Sequence, residues 1–139
     1  MDKVKIEVLD YDYTDGCKFY SSYESTHTFI VKVAPDNPFE IFCHQSQTDQ
    51  LILVDGECHF IWIENNKLKC YTMHEYSPAV VTVPPNVWHG SINTSRKPCT
   101  MVNAMIKHAE PADGDYTPKR ELSEEHQQQL DQLMNIINY

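Results

Sequence analysis

The stretch VPPNVWHGSIN, from Val83 to Asn93, decides the fold. Pro84 and Pro85 stop the apolar run AVVTV (79–83), and Asn86 stands where a tight turn favours glycine. A Trp-His pair follows, and Asn93 comes four residues after His89. A strand turned this firmly aims whatever comes next, and what comes next is an imidazole. A second stretch, FCHQSQTDQLILVDGE (42–57), has the same logic. A strand ends at His44, a short polar loop follows, and Asp49 and Gln50 open an apolar strand that runs to Gly56. If both strands belong to one barrel, His44, Asp49 and His89 converge at its mouth.

The surrounding sequence supplies such strands. Val4, Ile6 and Val8 alternate with Lys3, Lys5 and Glu7, the period of a half-buried strand. THTFIVKV (26–33), FEIFCH (39–44), QLILVD (50–55), ECHFIWI (57–63), KLKCYTM (67–73), AVVTV (79–83) and CTMVNAMI (99–106) complete the set. Asp55-Gly56 is a turn signal, and Glu64-Asn65-Asn66 joins its two neighbours as a hairpin. Short strands at this spacing read as an all-β sandwich or barrel over residues 1–122. The tail differs. Ser123 caps a helix over 123–138, with Glu124 and Glu125 in its first turn. Leu130, Leu133, Met134 and Ile137 form one apolar stripe, so 123–139 is read as a structural unit packed on the barrel or on a partner subunit. Between them, KHAEPADGDYTPKREL has the composition of an exposed connector.

Composition narrows the function. The chain has 139 residues, 41% hydrophobic and 22% charged, as an ordinary globular domain does. No window reaches the roughly 18 unbroken apolar residues of a membrane span, and the opening MDKVKIEVLD lacks a signal-peptide core. A cytoplasmic protein is expected. Its five cysteines, Cys17, Cys43, Cys58, Cys70 and Cys99, form no CxxC pair, so free thiols are expected. Twenty acidic residues oppose eleven basic ones, and only Arg96 and Arg120 are arginine. Nucleic acid and anionic membrane surfaces are therefore excluded as expected partners, since both demand a basic patch.

Imidazole and carboxylate serve two kinds of chemistry. They are general acids and bases, and they are ligands for a divalent metal such as Fe, Ni or Zn. His44, Asp49 and His89 are the candidates for either role. Gln47, Gln50 and Asn93 are candidates for binding ligand hydroxyls, and Trp88 for packing on a ligand face. The other histidines, His27, His59, His74, His108 and His126, read as surface or satisfied core residues.

The two stretches resemble the two conserved motifs of the cupin superfamily. In the first, His44 matches the second His, Asp49 the acidic ligand and Gly56 the closing Gly, while Phe42 stands at the first His. In the second, Pro84, His89 and Asn93 match, while Pro78 and Asn86 stand at the two Gly positions. The resemblance covers about residues 26–108 and implies a double-stranded β-helix, or jelly-roll, barrel. Within the superfamily, QTDQLILVDG and VVTVPPNVWHGSINTSRKPCTMVNAMIKH look like the branch of dTDP-4-dehydrorhamnose 3,5-epimerase and the dTDP-keto-sugar isomerases. That branch implies a metal-free enzyme with a first-motif His as base, a Tyr acid and a basic diphosphate grip. Here Asp49 replaces the Lys usual in the epimerases, and Phe42 removes one metal-ligating His.

The leading expectation is a keto-sugar epimerase or isomerase that needs no cofactor. His44 would be its base, Asp49 would orient an imidazole, and His89 or one of Tyr11, Tyr13, Tyr20, Tyr23, Tyr71 and Tyr76 would be the acid. The alternatives are a metal-dependent cupin with His44, Asp49 and His89 as ligands, and a non-catalytic small-molecule binder. Edge strands that invite pairing make a homodimer the expected assembly.

Overall fold

Alternating apolar strands must bury one face, and here two sheets bury theirs against each other. The computed structural model describes residues 3–109 and 119–137. Residues 110–118 of the connector and residue 138 of the expected helix lie outside them.

In chain order the strands are β1 (Lys5–Val8), β2 (Tyr11–Thr14), β3 (Cys17–Tyr20), β4 (His27–Val33), β5 (Ile41–Phe42) and β6 (Gln47–Asp55). They continue as β7 (Glu57–Glu64), β8 (Lys67–His74), β9 (Ala79–Val83), β10 (His89–Ile92), β11 (Cys99–Lys107) and β12 (Lys119–Arg120), followed by helix α1 (Glu124–Ile137). One sheet has the order β1-β9-β6-β11-β4 and the other β12-β5-β10-β7-β8; every pairing is antiparallel. The result is an all-β barrel with a C-terminal helix, as the strand spacing implies, in the jelly-roll form that the cupin resemblance implies.

The core lies between the sheets. Leu51, Leu53, Val81, Val83 and Met101 from the first sheet meet Cys58, Phe60, Trp62 and Met73 from the second. Phe60 is fully buried, which stabilises by about 1.5–3 kcal/mol for that side chain alone. Turn chemistry sets the strand register. Asn65 and Asn66 adopt φ of 51° and 60°, the left-handed pair that a two-residue hairpin turn requires between β7 and β8. Gly56 sits at φ 91°, and a Cβ there would lie 3.1 Å from the Cys99 Cβ, so the β6–β7 turn needs glycine for both shape and space.

The helix is capped as its sequence implies. The Ser123 hydroxyl accepts the His126 backbone N–H at 3.2 Å. Leu130, Leu133 and Met134 pack with Ile61 and Leu68 on the outer face of β7 and β8. Two differences from the sequence reading bear on the site. β5 ends at Phe42, two residues short of His44, so His44 lies in a loop. A hairpin of β2 and β3 also spans residues given no element by strand periodicity. Its Asp15-Gly16 turn, with φ of 52° and 80°, is the signal that marks it.

Candidate active site

Strand parity selects which side chains reach the barrel interior. Along β6, Leu51 and Leu53 belong to the core, so Gln47 and Asp49 share their face. Asp49 is 3% exposed. Its Oδ2 lies 3.2 Å from His44 Nε2 and 3.3 Å from His89 Nε2. Its Oδ1 accepts from Gln47 Nε2 at 2.8 Å and from Asn103 Nδ2 at 3.0 Å. The two imidazole rings stand 5.3 Å apart between centroids.

The Val83–Asn93 turn makes this meeting possible. Asn86 adopts φ 68°, the conformation an Asn tolerates and most residues resist. Its backbone N–H donates to the His44 carbonyl at 2.7 Å. One turn residue thus ties the loop carrying His44 to the loop carrying His89. His89 opens β10, and its Nδ1 donates to the Val87 carbonyl at 2.9 Å. Its other nitrogen faces the Asp49 carboxylate. Both ring nitrogens therefore face oxygen atoms.

Burial alone would raise the pKa of Asp49. Hydrogen bonds from His44 and His89, the charge of His44 and the Asn103 amide outweigh it, and the carboxyl is held well below the usual carboxylate range. Asp49 is thus a fixed anion between two imidazoles. His44 is the more open of the pair, with its side chain 22% exposed against 9% for His89, so an incoming ligand meets His44 first.

The other candidate residues divide. Gln47 joins the cluster through Asp49. Gln50 points to the opposite face of β6, where its amide donates to the carbonyls of Glu24 at 2.9 Å and Ala104 at 2.7 Å. Asn93 is fully buried, and its side chain is consumed by its own loop. It donates to Val33 and Lys97 carbonyls and accepts from Ser95 N and Oγ. Trp88 lies in the loop just before β10, where the Arg120 guanidinium sits 4.6 Å from the centre of its ring. The amides of Gln50 and Asn93 are thus spent on backbone and loop partners, and the Trp88 ring is covered by Arg120.

Two residues enter that sequence reading did not place, and Phe42, read there at the position of a motif His, joins them. Asn103 sits mid-strand in β11 and reaches Asp49 only because β11 pairs with β6. Phe29 lies directly opposite Asn103 on β4, and Phe42 directly opposite His89 on β5. Opposed residues of an antiparallel pair share a face, so both rings belong to the inner wall around the cluster.

No family model matches the sequence, and no curated protein does. Solved structures do match. A 3,4-ketoisomerase from Helicobacter canadensis has a TM-score of 0.67 and 14% identity, covering 98% of each chain. A 3,4-ketoisomerase from Thermoanaerobacterium thermosaccharolyticum in complex with TDP-4-keto-6-deoxyglucose has a TM-score of 0.65 and 12% identity, covering 86% of this chain and 87% of that one. The dTDP-4-dehydrorhamnose 3,5-epimerase from Elizabethkingia anophelis NUHP1 has a TM-score of 0.64 and 12% identity, covering 77% of this chain and 70% of that one. At such identities the likeness is one of fold: the chain has the cupin-type jelly roll of the dTDP-sugar ketoisomerases and epimerases.

Proposed function

We propose that the chain is a carbohydrate isomerase or epimerase that moves a proton beside a keto group. The observation that carries this reading is the His44–Asp49–His89 cluster in the inner wall of a barrel shared with enzymes of that type. Neutral His44 takes the proton from the carbon next to the carbonyl, and the C–H electron pair forms the enolate double bond. The Asp49 carboxylate stabilises the resulting imidazolium. His89, held by the Val87 carbonyl, holds the Asp49 carboxylate in place beside His44. Return of the proton to the same carbon from the other face gives an epimer. Its return to the former carbonyl carbon, with the hydroxyl proton passing to the enolate oxygen, gives the isomeric ketone.

The test is solvent deuterium incorporation into TDP-4-keto-6-deoxyglucose, followed by NMR. The wild type is expected to exchange the proton beside the keto group. His44→Asn is expected to lose exchange by about 10²–10⁴-fold while still binding, because it removes a base and keeps a polar group. Equal exchange by both proteins overturns the assignment of His44.

A second reading has its own observation. One ligand atom each from His44, Asp49 and His89 lies within 4.8 Å of the others, which suits a divalent metal. The Val87 hydrogen bond would fix the His89 tautomer so that Nε2 carries the lone pair. A metal there would supply Lewis acidity toward a carbonyl oxygen. Metal analysis of the purified protein separates the readings, and under this one Phe42→His tightens binding by adding a nitrogen ligand.

The assembly we infer is a homodimer in the cytoplasm. Ile30, Val102, Ile52 and Val80 form a cross-strand row on the outer face of the first sheet, where Ile30 is 73% exposed and nearby Val54 49%. A second copy would cover that face. A concentration-independent monomer mass in sedimentation would exclude it. Among the described residues no helix is long and apolar enough to cross a membrane.

A further inference from the structure

Phe29 and Phe42 belong to different sheets, yet both stand beside the same cluster. The β5–β10 register sets Phe42 across from His89. The β4–β11 register sets Phe29 across from Asn103, whose amide bonds Asp49. Parity confirms the direction each side chain takes. Val31 and Val33, two and four residues beyond Phe29, pack on the core, and Ile41, next to Phe42, is fully buried on the opposite face. Inner-wall phenylalanines of a barrel this small are expected to be buried. These two are not: Phe29 is 50% exposed and Phe42 37%. Two solvent-open rings flanking a buried anion and two imidazoles leave apolar surface uncovered where polar chemistry is concentrated.

Sugars present such a combination from the other side. A pyranose ring has hydroxyls at its edge and C–H groups on its faces. An aromatic ring packs on the faces while imidazole and carboxamide groups meet the edge. We propose that Phe29 and Phe42 are specificity-determining residues that hold the reacting sugar ring over the His44–Asp49–His89 cluster, Phe42 on the His89 side and Phe29 on the Asn103 side. The inference rests on the sugar-isomerase reading and adds the residues that select the ring. Neither phenylalanine exchanges a proton. Each fixes where the carbon beside the keto group stands relative to His44.

Two ligands tell the sugar apart from the nucleotide: TDP-4-keto-6-deoxyglucose, and TDP, which lacks the sugar. Titration calorimetry is done in the His44→Asn background so that nothing turns over. Phe42→Ala and Phe29→Ala are each expected to weaken the sugar nucleotide on the order of tenfold and to leave TDP unchanged. Phe42→Tyr and Phe29→Tyr restore the ring and are expected to restore affinity. Unchanged melting temperatures exclude unfolding as the cause, as expected for side chains this exposed. Equal losses for both ligands overturn the proposal, because the rings then hold the nucleotide. Unchanged affinity for both overturns it while the sugar-isomerase reading stands. Failure of the parent protein to bind the sugar nucleotide removes both.

Discussion

Strands β7 and β10 carry two buried histidines on opposite faces of one sheet. His89 pairs in register with Trp62 and points into the barrel, while His59 pairs with Ile92 and points out. Their exposures are similar, 7% and 1%, but their partners are not. His89 stands between a backbone carbonyl and a carboxylate. His59 stands between two hydroxyls, Thr72 Oγ1 at 2.9 Å and Thr94 Oγ1 at 3.0 Å. A hydroxyl donates or accepts, so a neutral ring is satisfied there, and burial pushes the His59 pKa down. The charge of Glu57 opposes that shift and the charge of His74 adds to it. A buried imidazole thus takes its role from what it touches: a carbonyl and a carboxylate tie His89 into the inner cluster, and hydroxyls on both sides keep His59 a structural neutral.

Removing the carboxylate attacks that contrast at its strongest point. Asp49→Asn leaves His44 and His89 without their anion and is expected to destabilise the fold by roughly 3 kcal/mol at neutral pH. The pH dependence follows from the depressed pKa of Asp49. Its charge stabilises the folded state fully above the unfolded carboxyl value of about 4, and this is lost as pH falls through the lower folded value. Urea titrations of the two proteins should therefore differ most near pH 7 and converge below about pH 4. A gap that does not change with pH would mean that the contribution of Asp49 is steric.

The cluster at Asp49 was legible in the sequence because local features set it. Pro84, Pro85 and Asn86 fix a turn, and spacing places Asp49 and His89 near the starts of β6 and β10 and His44 in the loop just after β5. Parity separated the near misses. Gln50 differs from Gln47 only in which face of β6 it takes, and a one-residue step reverses it. Asn93 has the right chemistry for a ligand, but its loop spends every hydrogen bond it offers. Asn103 and Phe29 became visible only through pairings between distant strands, whose register no local pattern encodes. The β2–β3 hairpin was a different omission. Its Asp15-Gly16 turn is a local signal, but the flanking YDYT and CKFY lack the aliphatic alternation that marks a half-buried strand.

The structural histidine offers the next effect in size. His59→Leu leaves the hydroxyls of Thr72 and Thr94 without their ring partner and is expected to cost about 1–3 kcal/mol. Catalysis should be untouched, since His59 lies on the outer face. A His whose folded pKa is depressed destabilises the fold as pH falls below its unfolded value of about 6.5, because the unfolded chain takes up the proton first. Between about pH 6.5 and 5 the wild type should lose stability more steeply than His59→Leu. Parallel curves would mean that His59 is not held neutral.

The smallest effect lies two residues away on the same strand. Glu57 and His74 face each other at 3.4 Å, with side chains 46% and 50% exposed. Solvent screens that pair, so His74→Ala should change stability by no more than about 1 kcal/mol. Its value is as a probe of His59. Glu57 raises the His59 pKa and His74 lowers it, so removing one or the other should move the His59 titration in opposite directions. Glu57→Gln should shift the His59 ring resonances to titrate at lower pH, and His74→Ala at higher pH, with NMR as the readout. Because both changes leave the Thr72 and Thr94 contacts in place, a shift in the same direction for both would mean that the hydroxyl pair, and not the surrounding charge, governs the ring.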